Sequence, residues 1–146
     1  RDELLLVVGA SVIPPGVRSP SVDHRLLGTI ADDSLLATIY AAADVLVFPS
    51  LEEAFGRVPA EAMACGTPVV CFDTSGLRDI VDHRENGYRA RCYDPVDLAA
   101  GIDWCLGDEE HRRKLSSKAR QKVETSFSTP RVSRTYTDLY LRLLGR

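Results

Sequence analysis

"DVLVFPSLEEAFGRVPAEAMACGTPVVCFD", Asp44 to Asp73, decides the reading of the fold. Val45–Phe48 is a short apolar run stopped by Pro49, too short for a typical helix. It reads as a central strand buried on both sides. "TPVVCFD" reads as a further strand. Between them "VPAEAMACG" reads as a short helix, with Pro59 in its first turn and Gly66 as its C-terminal cap.

Working outward, the same alternation continues. Toward the N-terminus, Leu4–Val8 is another continuous apolar run ended by Gly9 and reads as a buried strand. A loop rich in Pro, Gly and Ser follows, then a second short strand in "DHRLLGTI", closed near Gly28. "ADDSLLATIYAAA" opens on capping residues and places Leu35, Leu36, Ile39 and Tyr40 on one helical face. Toward the C-terminus, "SGLRDIVDHRENG" is a short helical segment ending in the turn pair Asn86-Gly87, and "YRARCY" alternates like an edge strand. Asp94 then caps a helix with Pro95 at its first position and an apolar stripe of Leu98, Ile102, Cys105 and Leu106. A charged amphipathic helix and a last helix bearing Val132, Tyr136, Leu139, Tyr140 and Leu143 complete the chain. Strands alternating with helices imply an α/β fold, a Rossmann-like doubly wound parallel sheet flanked by helices, with a helical C-terminal tail.

Composition narrows the chemistry. The 146 residues suffice for one domain with a core, and the net charge of −3 gives no basic surface for nucleic acid. Arg112, Arg113 and Lys114 read as a solvated helix face. Cys65, Cys71, Cys92 and Cys105 form no Cys-x-x-Cys pair and read as reduced, buried thiols; His24, His83 and His111 lack metal-ligand spacing. No apolar run approaches a membrane span, and no signal peptide is expected. Position 1 is Arg and the only methionine is Met63, so the chain is expected to be a fragment or a processed product.

In an open α/β sheet, ligands bind outside the carboxyl ends of the strands. The loop after Val45–Phe48 is such a place, and it leads through Gly56 into a helix start that favours an anion. Yet Glu52 and Glu53 precede that helix and Glu61 lies near its third position, where the dipole alone favours an acid. Carboxylates accept hydrogen bonds from hydroxyls, and a diphosphate between two sugars explains both features. The phosphates face backbone N–H groups, and the acids receive sugar hydroxyls. Without that ligand, Glu52 and Glu53 read as surface loop residues.

The segment Ala42–Tyr88 resembles the C-terminal, donor-binding domain of the retaining glycosyltransferases of family 4, glycosyl transferases group 1, which have the GT-B architecture. Glu53 and Glu61, with seven residues between them, match that family's pair of glutamates, and "PS", "FG" and "EAMACGTPVV" match its context. The resemblance implies that Glu61 bonds the ribose and that Glu53 is the catalytic-site acid beside the donor sugar. Phe55, Gly56, Arg57 and Val58 would bring N–H groups to the sugar and diphosphate, and Gly28, Thr29 and Ile30 would border the base. Ala54 replaces a glycine common in the family, a change expected to restrict the backbone and alter how the sugar is held.

Residues 1–146 are thus expected to form a single donor-binding domain, with 108–146 as its helical tail and the N-terminal acceptor domain absent. The family's first strand, and the Arg and Lys that neutralise the diphosphate, have no counterpart here, so the chain alone is expected to be inactive and to leave apolar sheet surface uncovered. The implied donor is a UDP- or GDP-linked sugar, with no cofactor and, lacking Asp-x-Asp, no essential metal. The implied setting is cytoplasmic polysaccharide or glycolipid assembly, with peripheral membrane association of the parent protein. Two rival readings stand beside this one: a non-catalytic nucleotide-sugar-binding module, and a sugar-nucleotide epimerase-like GT-B enzyme.

Overall fold

The computed structural model describes residues 3–12, 16–17 and 22–145; most of the Pro/Gly/Ser-rich loop lies outside them. The chain divides into two compact units, Arg1–Thr38 and Ile39–Arg146.

In the first unit β1 (Leu4–Val8) pairs in parallel with β2 (Asp23–Gly28), with an irregular register between Val7 and Val8. Gly28 closes the ladder in a left-handed conformation (φ 61°), and its carbonyl accepts the Gly9 N–H at 2.8 Å. The expectation that β1 is buried is corrected. Leu4 is 54% and Leu5 46% exposed, and β2 is the strand's only partner among the described residues. Helix α1 (Asp33–Ala42) begins in this unit, where the Asp32 carboxylate accepts the N–H groups of Ser34 and Leu35.

The second unit holds a parallel sheet in the order β3-β4-β5, comprising β3 (Leu46–Phe48), β4 (Val69–Phe72) and β5 (Gly87–Ala90). Helix α2 (Arg57–Ala64) links β3 to β4, and α3 (Leu77–Ile80) links β4 to β5. Then come α4 (Pro95–Cys105), α5 (Glu109–Ser126) and α6 (Thr129–Leu143). The centre of this sheet is β4, not β3. All four residues of β4 are buried, while β3 stands at an end and is half-buried. An apolar run alone does not say which neighbour each edge finds, so β3 was misplaced.

Alternation along β4 builds both cores. Val69 and Cys71 join Met63, Leu77, Ile80, Val81 and Ala119, whereas Val70 and Phe72 join Tyr88, Ala90, Cys105 and Leu115. Helix α5 therefore contributes Leu115 and Ala119 to the body of the unit, while α6 buries no residue. The expectation that all four cysteines are buried is corrected: Cys71 and Cys105 are buried, Cys65 is half-buried and Cys92 is exposed. Two members of the basic cluster on α5 lie on the solvated face expected, Arg113 pairing with Glu109 and Lys114 with Glu110 one helical turn away, but Arg112 does not: it is half-buried and donates to the Gly107 carbonyl at 2.7 Å.

Candidate functional site

The candidate site is built from the loops at the carboxyl ends of β3 and β4. After Phe48 the chain runs through Pro49–Phe55 to Gly56, which adopts φ 92° and acts as the N-cap of α2. A side chain cannot replace that hydrogen, because an added Cβ would lie 2.7 Å from Leu77 Cδ2 and 3.1 Å from Ile80 Cδ1. Conformation and space both require glycine there.

This cap starts α2 at Arg57, two residues before Pro59. Glu61 is therefore the fifth helical residue, not near the third, and the first turn holds no acid. Favourable placement at the helix dipole does not account for it. Its carboxylate instead meets the Arg57 guanidinium one turn earlier, at 2.9 Å. The N–H groups of Arg57 and Val58 have no hydrogen-bond acceptor among the described residues, and Pro59 has no N–H to offer. The first intrahelical bond runs from Ala60 N–H to the Gly56 carbonyl at 3.1 Å. The start of α2 thus presents two donors to solvent.

Glu53 is half-buried, and its carboxylate forms no ion pair or hydrogen bond among the described residues. The backbone of Glu53 is held firmly, however. Its carbonyl accepts from Ser75 Oγ at 2.8 Å and from the Gly76 N–H at 3.0 Å. Thr74 Oγ1 likewise donates to the Leu51 carbonyl at 2.9 Å. Gly76 permits this approach, since a Cβ there would lie 2.4 Å from the Ala54 carbonyl oxygen. An open depression is lined by Leu51, Glu52, Glu53, Ala54, Thr74 and Ser75. Glu52 is exposed. Ala54 is not among the residues with positive φ, so its methyl group costs no left-handed strain.

Phe55 has a role beyond its backbone. Its ring packs edge-to-face on Phe127, with centroids 5.3 Å apart, tying the loop to the end of α5. Near Glu61, burial raises the Tyr40 phenol above its ordinary value, and the Glu61 carboxylate adds to the rise. Gly28, Thr29 and Ile30 lie in the first unit, at the end of β2 and just after it. Sequence reasoning missed Thr74, Ser75 and Gly76. The signal available was a Thr-Ser-Gly run directly following a buried strand, which was read only as a helix start.

The family model described as Glycosyl transferases group 1 matches residues 18–122. The chain belongs to the group 1 glycosyltransferases.

Among group 1 relatives, a D-inositol 3-phosphate glycosyltransferase of Xylanimonas cellulosilytica is 35% identical, with 99% of this chain and 37% of that protein aligned. An N-acetyl-alpha-D-glucosaminyl L-malate synthase of Bacillus anthracis is 29% identical over 98% of this chain and 38% of its own length. Among solved structures, sucrose-phosphate synthase from Thermosynechococcus elongatus superposes with a TM-score of 0.76 at 36% identity, over 84% of this chain and 30% of that one. Anabaena HepE, solved with UDP-glucose, gives 0.71 at 29% identity, over 82% of this chain and 32% of that one. The chain spans about a third of the length of the curated relatives it matches. Its mixed α/β architecture, with parallel sheets flanked by helices, corresponds to part of a GT-B glycosyltransferase. No described helix is long and apolar enough to cross a membrane.

Proposed function

We propose that this chain is the donor-binding portion of a retaining family 4 glycosyltransferase, which moves a sugar from a nucleoside diphosphate to a hydroxyl acceptor. The observation that carries this reading is the half-buried Glu53 carboxylate, without a partner among the described residues, in the loop leading to the open N–H groups of Arg57 and Val58. The acid suits sugar hydroxyls, and the donors suit a phosphate oxygen. Glu61, eight residues on, receives the ribose hydroxyls. The base-bordering role of Gly28, Thr29 and Ile30 rests on the family resemblance alone.

In this mechanism Glu53 is the catalytic-site acid that orients the sugar ring. The N–H groups at the head of α2 stabilise the charge that grows on the diphosphate as the glycosidic bond breaks. The left-handed turn at Gly56 sets the start of α2 and so the place of these N–H groups. No metal and no cofactor enters the proposal. UDP is the favoured nucleotide because HepE was solved with UDP-glucose, with GDP the alternative. The relatives' names point to different acceptors, so the acceptor is left as a hydroxyl compound. In the parent protein the reaction belongs to cytoplasmic polysaccharide or glycolipid assembly, with peripheral association at the membrane.

Calorimetric titration of the chain with UDP and GDP tests the donor site: saturable binding of one of them is expected, and binding of neither overturns the reading. In the full-length parent protein, the anomeric configuration of the glycoside tests retention. An inverted product contradicts it, and a freely released epimerised sugar-nucleotide favours the epimerase-like alternative.

A further inference from the structure

We propose that Ser75 is a positioning residue for the donor sugar, fixing the backbone of Glu53 and thereby the place of its carboxylate. This rests on the donor-site reading above and goes beyond it, since Ser75 belongs to neither the paired glutamates nor the α2 start.

The Glu53 carbonyl has two lone pairs and both are used. Ser75 Oγ donates to it at 2.8 Å and the Gly76 N–H at 3.0 Å, while the Glu53 N–H points back to Ser75 Oγ at 3.5 Å. One hydroxyl therefore faces the N–H and the carbonyl of a single residue. Thr74 Oγ1, 3.4 Å from Ser75 Oγ, holds the Leu51 carbonyl two residues earlier. The two loops are joined side by side, and the Glu53 carboxylate itself is left free for a ligand.

The clamping loop is itself anchored. The Asp73 N–H bonds the Ala90 carbonyl at 2.7 Å, extending the sheet pairing by one residue. The Asp73 carboxylate lies 3.1 Å from Arg78 Nε and 3.3 Å from Arg89 Nη1, so two cations from α3 and β5 fix its direction. Arg78 Nη2 also donates to the Asp73 carbonyl at 3.1 Å. Gly76 then passes Ala54 so closely that no side chain fits. Thr74 and Ser75 stand between these two fixed points, and both line the open depression with Glu53. An acid positioned through its backbone keeps its side-chain acceptor sites for sugar hydroxyls. A salt bridge to the carboxylate would have taken part of them.

The test compares wild type, Ser75→Ala and Ser75→Thr in the 146-residue chain. Affinity is measured for UDP and GDP and for a panel of UDP- and GDP-linked sugars, and amide hydrogen exchange is read over Glu53–Phe55. Ser75→Ala is expected to weaken the tightest-binding nucleotide-sugar about tenfold and its free nucleotide less than twofold, with faster exchange at Glu53–Phe55. Ser75→Thr, which keeps the hydroxyl, is expected to restore both. Unchanged sugar-nucleotide affinity in Ser75→Ala overturns the proposal, as does an equal loss for nucleotide and sugar-nucleotide. Wild type that binds no nucleotide overturns the donor-site reading and this proposal with it. Wild type that binds while Ser75→Ala is silent overturns only the positioning role.

Discussion

Arg57 Nε lies 2.9 Å from Glu61 Oε1, one helical turn apart on α2, so one of the two family glutamates already has a cation while the other, Glu53, has none among the described residues. The Arg57 side chain is 88% exposed, and an exposed pair of this spacing is worth only a few tenths of a kcal/mol. The pair therefore does little for stability. On the proposed reading, the pair orients the Glu61 carboxylate where a ribose would meet it. Arg57→Ala is expected to leave the thermal midpoint within about a degree of wild type. It should weaken UDP binding severalfold, as read by calorimetry. A large fall in the midpoint would assign Arg57 to the fold instead.

Gly56→Ala combines positive φ with a Cβ 2.7 Å from Leu77 Cδ2. A strained backbone position of this kind costs roughly 1–3 kcal/mol. Thermal unfolding should begin several degrees earlier, and nucleotide binding should weaken as the start of α2 shifts. A stable variant with intact binding would show that the cap tolerates a side chain.

The cysteines give an independent check on the packing. Burial pushes the Cys71 and Cys105 thiols up to about 12. A thiol so far from ionisation is a poor nucleophile. Mass spectrometry after brief maleimide labelling should find Cys92 modified first and Cys65 more slowly, with Cys71 and Cys105 reacting only after denaturation. Early labelling of Cys71 would contradict the central place of β4.

Acid should destabilise the chain in two stages. Burial lowers the His83 pKa below 6.5, and Arg84 and Arg89 add to the effect. Its Nδ1 accepts the Arg89 N–H at 3.1 Å, so the folded chain favours the neutral ring. Below pH ~6.5 the unfolded chain binds the extra proton, so stability falls as pH falls. The Asp97 carboxylate is held below its ordinary range by the Arg91 N–H first, then by the Tyr88 hydroxyl. Its contribution is complete above that range and is lost as pH falls through the lowered value. Thermal midpoints from pH 7 to 3 should show both declines, and His83→Asn should remove the first. A flat profile from pH 7 to 5 in wild type would contradict the role of His83.

Much of this arrangement was legible in the sequence because local signals dictate it. Short apolar runs gave the strands, Asp94-Pro95 gave the start of α4, and Gly66, with φ 88°, ended α2 as expected. What escaped were relationships between residues distant in the chain. The central place of β4 depends on pairing across intervening helices, and the Phe55–Phe127 contact joins loops 72 residues apart by their numbers (127 − 55). The start of α2 was misplaced because Pro59 resembles a first helical residue, while the left-handed turn at Gly56 leaves no mark beyond a glycine. Ser75 looked like part of a helix start because nothing local reveals that its hydroxyl bonds to a residue 22 positions earlier.

The central claim is that Glu53 meets the sugar and Glu61 the ribose. The measurement that tests it most directly is calorimetric titration of wild type, Glu53→Gln and Glu61→Gln with UDP and with its best-binding UDP-sugar, or the GDP pair if GDP binds instead. Each substitution keeps the shape and removes the charge. Losing a charge-assisted hydrogen bond costs about 1.5–3 kcal/mol, roughly ten- to a hundredfold in affinity. The account predicts that Glu61→Gln weakens both ligands alike, whereas Glu53→Gln weakens the nucleotide-sugar and spares the free nucleotide. Equal losses for both ligands in Glu53→Gln, or undiminished nucleotide-sugar binding in that variant, would contradict it.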